Sequence, residues 1–130
     1  METRLNALIN KALLRRPEAV VDITVSLWEK LAVELISLIG DGGFQSVYLR
    51  SGVLTAARYP WLILDSPMRQ TDCQFAELRR SLEGRAITEA GDASVVLFGN
   101  FIDILTSLIG EHLMTNLLHS AWGDDVFNAQ

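Results

Sequence analysis

The sequence has little cysteine and no long hydrophobic run. Cys73 is the single cysteine among 130 residues, so no disulfide can form within the chain. Such a chain fits a reducing compartment, where packing alone must hold the fold. No run of about 18 consecutive apolar residues is present, as a membrane span would require, and the N-terminus lacks the apolar core of a secretory signal. We therefore expect a cytoplasmic protein without a membrane partner.

Positive charge is also scarce. The 11 basic residues are outnumbered by 16 acidic ones, which gives a net charge of −5 at pH 7. A surface that binds DNA or RNA needs a basic face to neutralise phosphates. The composition therefore argues against a nucleic-acid partner.

Motifs that carry chemistry are missing as well. The sequence shows no paired carboxylates, no metal-binding signature and no nucleophile motif. The glycine-rich stretch at residues 40–43 lacks the Lys-Ser/Thr pair of a phosphate-binding P-loop. We expect no metal, no cofactor and no enzymatic activity.

Helical periodicity dominates what is present. Apolar residues recur at three- and four-residue intervals, and prolines and glycines separate these stretches, which predicts an all-α fold with one domain over residues 1–130. The pattern indicates an irregular bundle of about five helices, at residues 2–16, 18–40, 44–58, 65–83 and 86–122. The first of these is an amphipathic N-terminal helix within residues 1–16, and residues 124–130 are expected to form a flexible tail.

Two stretches of the chain resemble each other. When residues 22–41 are aligned with residues 92–111, eight of the twenty positions are identical. The longest identical run is Ser-Leu-Ile-Gly, at 37–40 and again at 107–110. We expect a pseudo-two-fold repeat of long central helices, with the Leu-Ile-Gly segments near the centre and a bend or crossing at Gly40 and at Gly110.

The hydrophobic content of 49% is high for so short a chain. The excess predicts that some apolar surface meets another subunit, so we expect a homodimer. The residues expected at the subunit interface or at helix crossings are Gly40, Gly110, Trp28, Phe98, Phe101 and Leu105. The leading functional hypothesis is a non-enzymatic protein-interaction or regulatory module, associated with bacterial signalling.

An alternative is a helical bundle that binds a small ligand or cofactor. His112, Asn116 and His119 fall on one face of the last predicted helix and would touch the ligand, while Trp28 and Phe98 would line the pocket together with Phe101. The two histidines are two helical turns apart, about 10 Å along the axis, which is too far for both to chelate one metal ion. The sequence leaves this alternative open.

Overall fold

The computed structural model describes residues 19–62 and 76–122. These residues form four α-helices and no strand: α1 (Val20–Ala56), α2 (Ala76–Glu83), α3 (Ile87–Ile109) and α4 (Glu111–Trp122). The predicted all-α fold is confirmed. The predicted helix at residues 2–16, the start of the helix at residue 65 and the tail at 124–130 lie outside the described residues.

The helix boundaries differ from the prediction at two glycines. Residues 18–40 and 44–58 were expected to be separate helices, yet α1 runs through both and is broken by the backbone of Gly40, at φ 84° and ψ 164°. Residues 86–122 were expected to form one helix, and they divide into α3 and α4 at Gly110, at φ 94° and ψ 152°. Only glycine adopts this region of φ and ψ readily, because a side chain there would clash with the backbone. The expected count of five helices is not confirmed, since the described residues contain four.

The chain folds back on itself at each glycine. Trp28 and Tyr48 would be about 30 Å apart along a straight helix, but their ring centroids are separated by 5.1 Å. Phe98 and Trp122 lie on either side of Gly110, and their ring centroids are likewise separated by 5.1 Å. Each of two segments therefore consists of two helical arms that pack against each other across a glycine. We call residues 20–52 the first kinked segment and residues 90–122 the second kinked segment.

The first arm of α1, residues 20–39, lies alongside α3. Thr24 Oγ1 donates a hydrogen bond to Ser94 Oγ at 3.3 Å, and one helical turn later the rings of Trp28 and Phe98 stack with centroids 4.5 Å apart. Both contacts join positions that the sequence alignment of the two stretches pairs with each other. Because the two residue numbers increase together, the arm and α3 run in the same direction.

The core is built around Trp28, which has no exposed surface. Its ring contacts Tyr48 and Phe98, as above, and also Phe101 at 4.9 Å and Phe44 at 6.5 Å between centroids. Edge-on and offset ring pairs of this kind add to the free energy gained from burying apolar area. Burial raises the pKa of the Tyr48 phenol far above its usual value, so this side chain stays protonated in the fold.

The short helix α2 lies between the two kinked segments in the sequence and packs against α1. Leu78 and Leu82 are buried against the core, and Arg79 Nη1 lies 2.8 Å from Asp22 Oδ1 of α1. The hydrogen bond to Asp22 raises the pKa of Arg79. This pair is exposed to solvent, so it positions α2 more than it stabilises the fold.

Helix α3 is long and apolar enough to cross a membrane by length and composition alone. In the fold it is the central helix, because its buried residues, which include Leu97, Ile102 and Leu105, belong to the core cluster shared with α1 and α4. The core helix of a soluble protein has the same length and composition. Burial within the chain accounts for part of this hydropathy, since 39% of the apolar stretch is buried.

Candidate functional site

Four of the residues expected at an interface or crossing lie inside this one chain. Trp28, Phe98, Phe101 and Leu105 have no exposed surface, and the Trp28 ring contacts both phenylalanine rings as described above. Their position is that of helix-crossing residues within the monomer. A surface that contacts a second molecule must be sought elsewhere.

The residues expected to touch a ligand lie on the outside of α4. His112, Asn116 and His119 are all exposed, while Met114 and Leu118 of the same helix are buried. The described residues contain no group of three or more His, Cys, Asp or Glu side chains placed to hold a metal ion. Ligand binding by the three exposed residues stays a prediction.

Gly40 and Gly110, the other two residues expected at an interface or crossing, are both exposed. The Leu-Ile-Gly segments were expected near the centre of the core, and this expectation is wrong for their leucines and glycines, whereas Ile39 and Ile109 are half-buried and pack against the core. Leu38 is 49% exposed and Leu108 is 67% exposed, because each is the second residue before a glycine where the chain reverses. The helix ends there, so no further turn of the same helix covers the leucine.

Exposed leucines and acidic residues therefore surround the two kinks. Because the first arm of α1 and α3 run in the same direction, Gly40 and Gly110 lie at the same end of the molecule. We call this end the paired-kink surface. It is defined by Leu38, Asp41, Leu108, Glu111 and Leu113, all of which are exposed.

Acidic residues lie close to both glycines among the described residues. Asp41 and Glu111 directly follow the two glycines, and Glu34 and Asp103 lie about two turns of helix earlier in the respective segments. Neither residues 31–49 nor residues 86–130 contain a lysine or an arginine. The residues that define the paired-kink surface are therefore exposed leucines and acidic side chains.

Sequence reasoning found the repeated Ser-Leu-Ile-Gly run but placed its leucines in the core. The helical period put Leu38 on the same arc as Trp28 and Leu35, which are buried. Periodicity gives the face of a helix and not the point at which its neighbours end. The signal that could have placed the leucines was the glycine two residues later, because a chain reversal there exposes the last turn.

Comparison of the chain with protein-family models, with curated proteins and with solved structures gives no match in any of the three.

Proposed function

We propose that the protein is a non-enzymatic interaction module that acts as a homodimer, in the cytoplasm and in a regulatory role of the kind found in bacterial signalling. One observation carries the proposal: two leucines, Leu38 and Leu108, are held in solvent at matching positions of a chain whose core is already filled. Exposing leucine at two such sites gives up burial free energy, about 25 cal/mol for each Å² left in water. A function in binding explains why this cost is retained.

We also propose that the two kinked segments are an internal duplication related by an approximate two-fold axis. Support comes from their glycines, whose φ values are 84° and 94° and whose ψ values are 164° and 152°. The contacts between Thr24 and Ser94 and between Trp28 and Phe98 support it further, because residues next to a two-fold axis touch their own counterparts. The proposed axis runs between α3 and the first arm of α1.

The alternative, a bundle that binds a small ligand, has less support from the geometry. The rings expected to line its pocket, those of Trp28, Phe98 and Phe101, are packed together in the core. The exposed residues of α4, His112, Asn116 and His119, are the ligand contacts that remain for this alternative. Interaction through an exposed surface is therefore the proposal that the observations favour.

The test is sedimentation velocity of the full chain from about 1 to about 50 µM, paired with a native mass spectrum that would also reveal any bound small molecule. We expect a dimer in the micromolar range. A double variant, Leu38→Ser with Leu108→Ser, should weaken the dimer at least about tenfold, equivalent to about 1.4 kcal/mol. A monomer at every concentration would overturn the proposal.

A matched control is available on the same chain. Val53 and Leu54 are 70% and 43% exposed, comparable with the two leucines, and lie in the last turns of α1. The variant Val53→Ser with Leu54→Ser removes a similar exposed apolar area away from the kinks. It should leave the dimer intact. Equal loss in both variants would mean that general hydrophobicity, and not the paired-kink surface, drives association.

A further inference from the structure

We propose that the homodimer forms by exchange of α4: the chain straightens at Gly110, and α4 of each copy takes the place of α4 in the other. The inference rests on the proposed homodimer and names the contact that forms it. Each copy gives one helix and receives one, which closes a two-fold dimer and leaves no α4 position empty.

Helix α4 is held by contacts that a second copy can provide equally well. Met114, Leu118 and Trp122 are buried in the core shared with α1 and α3. The Trp122 indole Nε1 donates its hydrogen bond to the carbonyl oxygen of Leu27, and the Trp122 ring meets the Phe98 ring edge-on. The partners in these contacts lie on α1 and α3, so exchange replaces each contact with an identical one between copies.

Within the described residues, α4 is connected to the other helices through Gly110 alone. The second arm of α1, residues 41–56, is connected at both ends, through Gly40 and through the turns at residues 57–62. One hinge is enough to release α4, whereas the second arm cannot leave without moving the chain that follows it. The kink at Gly110 is therefore the hinge that the fold offers for exchange.

The reversal at this hinge is made by the backbone of a single residue. Helix α3 ends one residue before Gly110 and α4 begins one residue after it. The N–H of Gly110 donates to the Thr106 carbonyl oxygen at 2.8 Å, and the N–H of Met114 donates to the Gly110 carbonyl oxygen at 3.1 Å. Rotation of Gly110 to helical φ and ψ joins the two helices. The N–H groups of residues 111–113, which have no acceptor within α4, then donate to residues 107–109.

The sequence of this stretch suits the straight form. No proline lies between residues 86 and 122, and the apolar period predicts one helix there. Such a helix would be about 54 Å long, which is longer than a compact chain of this size is wide. Its C-terminal part would then have to pack on another copy. Short hinges at which a chain reverses are the places where proteins exchange elements in this way.

The first test is a substitution that favours the straight form. Gly110→Ala penalises the kink, because alanine is strained at φ 94°, and alanine is the better helix former. The strain belongs to the kinked monomer and is relieved in the exchanged dimer, so unfolding experiments that compare the two kinks use protein below the dimer range. Sedimentation velocity of the full chain should give a dimer dissociation constant at least about tenfold lower than that of the wild type.

A second substitution favours the kink. In Glu111→Pro, the ψ of 152° at Gly110 suits a residue before proline, and proline is tolerated at the first position of a helix. Inside a continuous helix, proline removes a hydrogen bond and clashes with the preceding turn. This variant should therefore dissociate at least about tenfold more readily than the wild type.

The matched controls are the same substitutions at the other kink, Gly40→Ala and Asp41→Pro. Gly40 has nearly the same φ and ψ as Gly110, and Asp41, like Glu111, is the exposed acidic residue that follows the glycine. The proline variants also match in net charge, because each removes one carboxylate. The controls leave the hinge of α4 untouched, so their dissociation constants should stay within about threefold of the wild type. Far-UV circular dichroism checks that every variant is folded.

A distance within one chain measures the exchange directly. Asp92 and Ser120 are exposed and would be about 42 Å apart along a straight helix. In the kinked chain, the contact between Phe98 and Trp122 brings the end of α4 back to α3. Spin labels on Asp92→Cys and Ser120→Cys, in a Cys73→Ser background with excess unlabelled chain, report this distance by pulsed electron paramagnetic resonance. It should lengthen to about 42 Å as the concentration rises through the dimer range.

The outcomes distinguish the two proposals. A wild type that is monomeric at every concentration overturns the homodimer and this route to it together. If the wild type is a dimer and the two hinge variants match it, or match their controls, the exchange is overturned and the homodimer stands. An unchanged distance between residues 92 and 120 in the dimer has the same meaning.

Discussion

The two kinked segments agree most closely around their glycines and differ most in the core. From residue 31 to residue 42, every position is buried, half-buried or exposed in the same way as its counterpart in residues 101–112. Leu35 and Leu105 are both fully buried, and Leu38 and Leu108 are both exposed. The burial pattern around the kink is thus the same in both segments.

Past the kinks, bulky side chains alternate between the two segments. Tyr48 corresponds to Leu118, and Gly52 corresponds to Trp122, whose indole Nε1 donates a hydrogen bond to the carbonyl oxygen of Leu27 at 2.8 Å. The four corresponding residues are all buried. The larger side chain is therefore in the first segment at one pair of positions and in the second segment at the other. The comparison teaches that the two segments differ in the size of their interior side chains beyond the kinks, while the burial pattern at the exposed kinks is the same.

The largest expected effect is at the point of greatest difference. Trp122→Ala removes a fully buried ring, its edge-on contact with Phe98 and its hydrogen bond to Leu27. The free energy of unfolding should fall by about 3–5 kcal/mol. Urea denaturation at one fixed protein concentration measures it, because a dimer's apparent stability depends on concentration.

The control for this substitution is Trp122→Phe, which keeps most of the ring and loses the hydrogen bond. Its cost should be about 1–2 kcal/mol, from the lost bond and the smaller ring. If Trp122→Ala cost less than about 1 kcal/mol, well below the usual loss for a buried ring, the last turn of α4 would not belong to the core. The correspondence between the two segments would then not extend to the last turn of α4.

Substitution of either kink glycine should lower the free energy of unfolding by an intermediate amount, and the loss should be equal at the two kinks. Neither Gly40→Ala nor Gly110→Ala would create a steric overlap with neighbouring atoms, because no such atom lies within 4 Å of the added carbon. The cost is therefore backbone strain alone, about 1–3 kcal/mol each at these positive φ values. Thermal or urea unfolding measures both losses.

Gly42→Ala is the matched control for the kinks. Gly42 is also free of neighbouring atoms around the added carbon, but it lies in the helical part of α1 and has no positive φ. Alanine there should stabilise the protein by about 0.5–1 kcal/mol, because it is the better helix former. A similar loss in all three variants would show that the two kinks are not specially strained for alanine.

Much of the architecture was predictable from the sequence, and the failures have physical causes. The period of apolar residues predicted the all-α fold, and the repeated run drew attention to Gly40 and Gly110. The same period could not show that the chain reverses at these glycines, since a local bend and a full reversal need the same residue type. The burial of Trp28 and Phe98 within one chain depends on that reversal. They were therefore expected equally at a subunit interface.

The candidate site was less predictable than the fold. Exposure of Leu38 and Leu108 follows from where their neighbouring helices end, which is a property of the tertiary structure. The acidic character of that end, in contrast, can be counted in the sequence once the two kinks are known to lie together. Placement in space, and not residue type, was the missing information.

The smallest expected effect is at Thr24 and Ser94, where corresponding positions of the two segments touch. Thr24→Val and Ser94→Ala should each cost about 1 kcal/mol, because each breaks a buried hydrogen bond. The double variant should cost about 0.5–1 kcal/mol less than the sum, since the second substitution no longer breaks that bond. Urea denaturation of the wild type, the two single variants and the double variant completes this double-mutant cycle.

Ser51→Ala is the control partner for Thr24→Val, because Ser51 donates its hydrogen bond to Val47 within its own helix. The free-energy losses of Thr24→Val and Ser51→Ala should therefore be additive. Strict additivity in the Thr24 and Ser94 cycle would mean that the two hydroxyls do not interact, and it would remove one of the two contacts between counterparts on which the proposed two-fold axis rests.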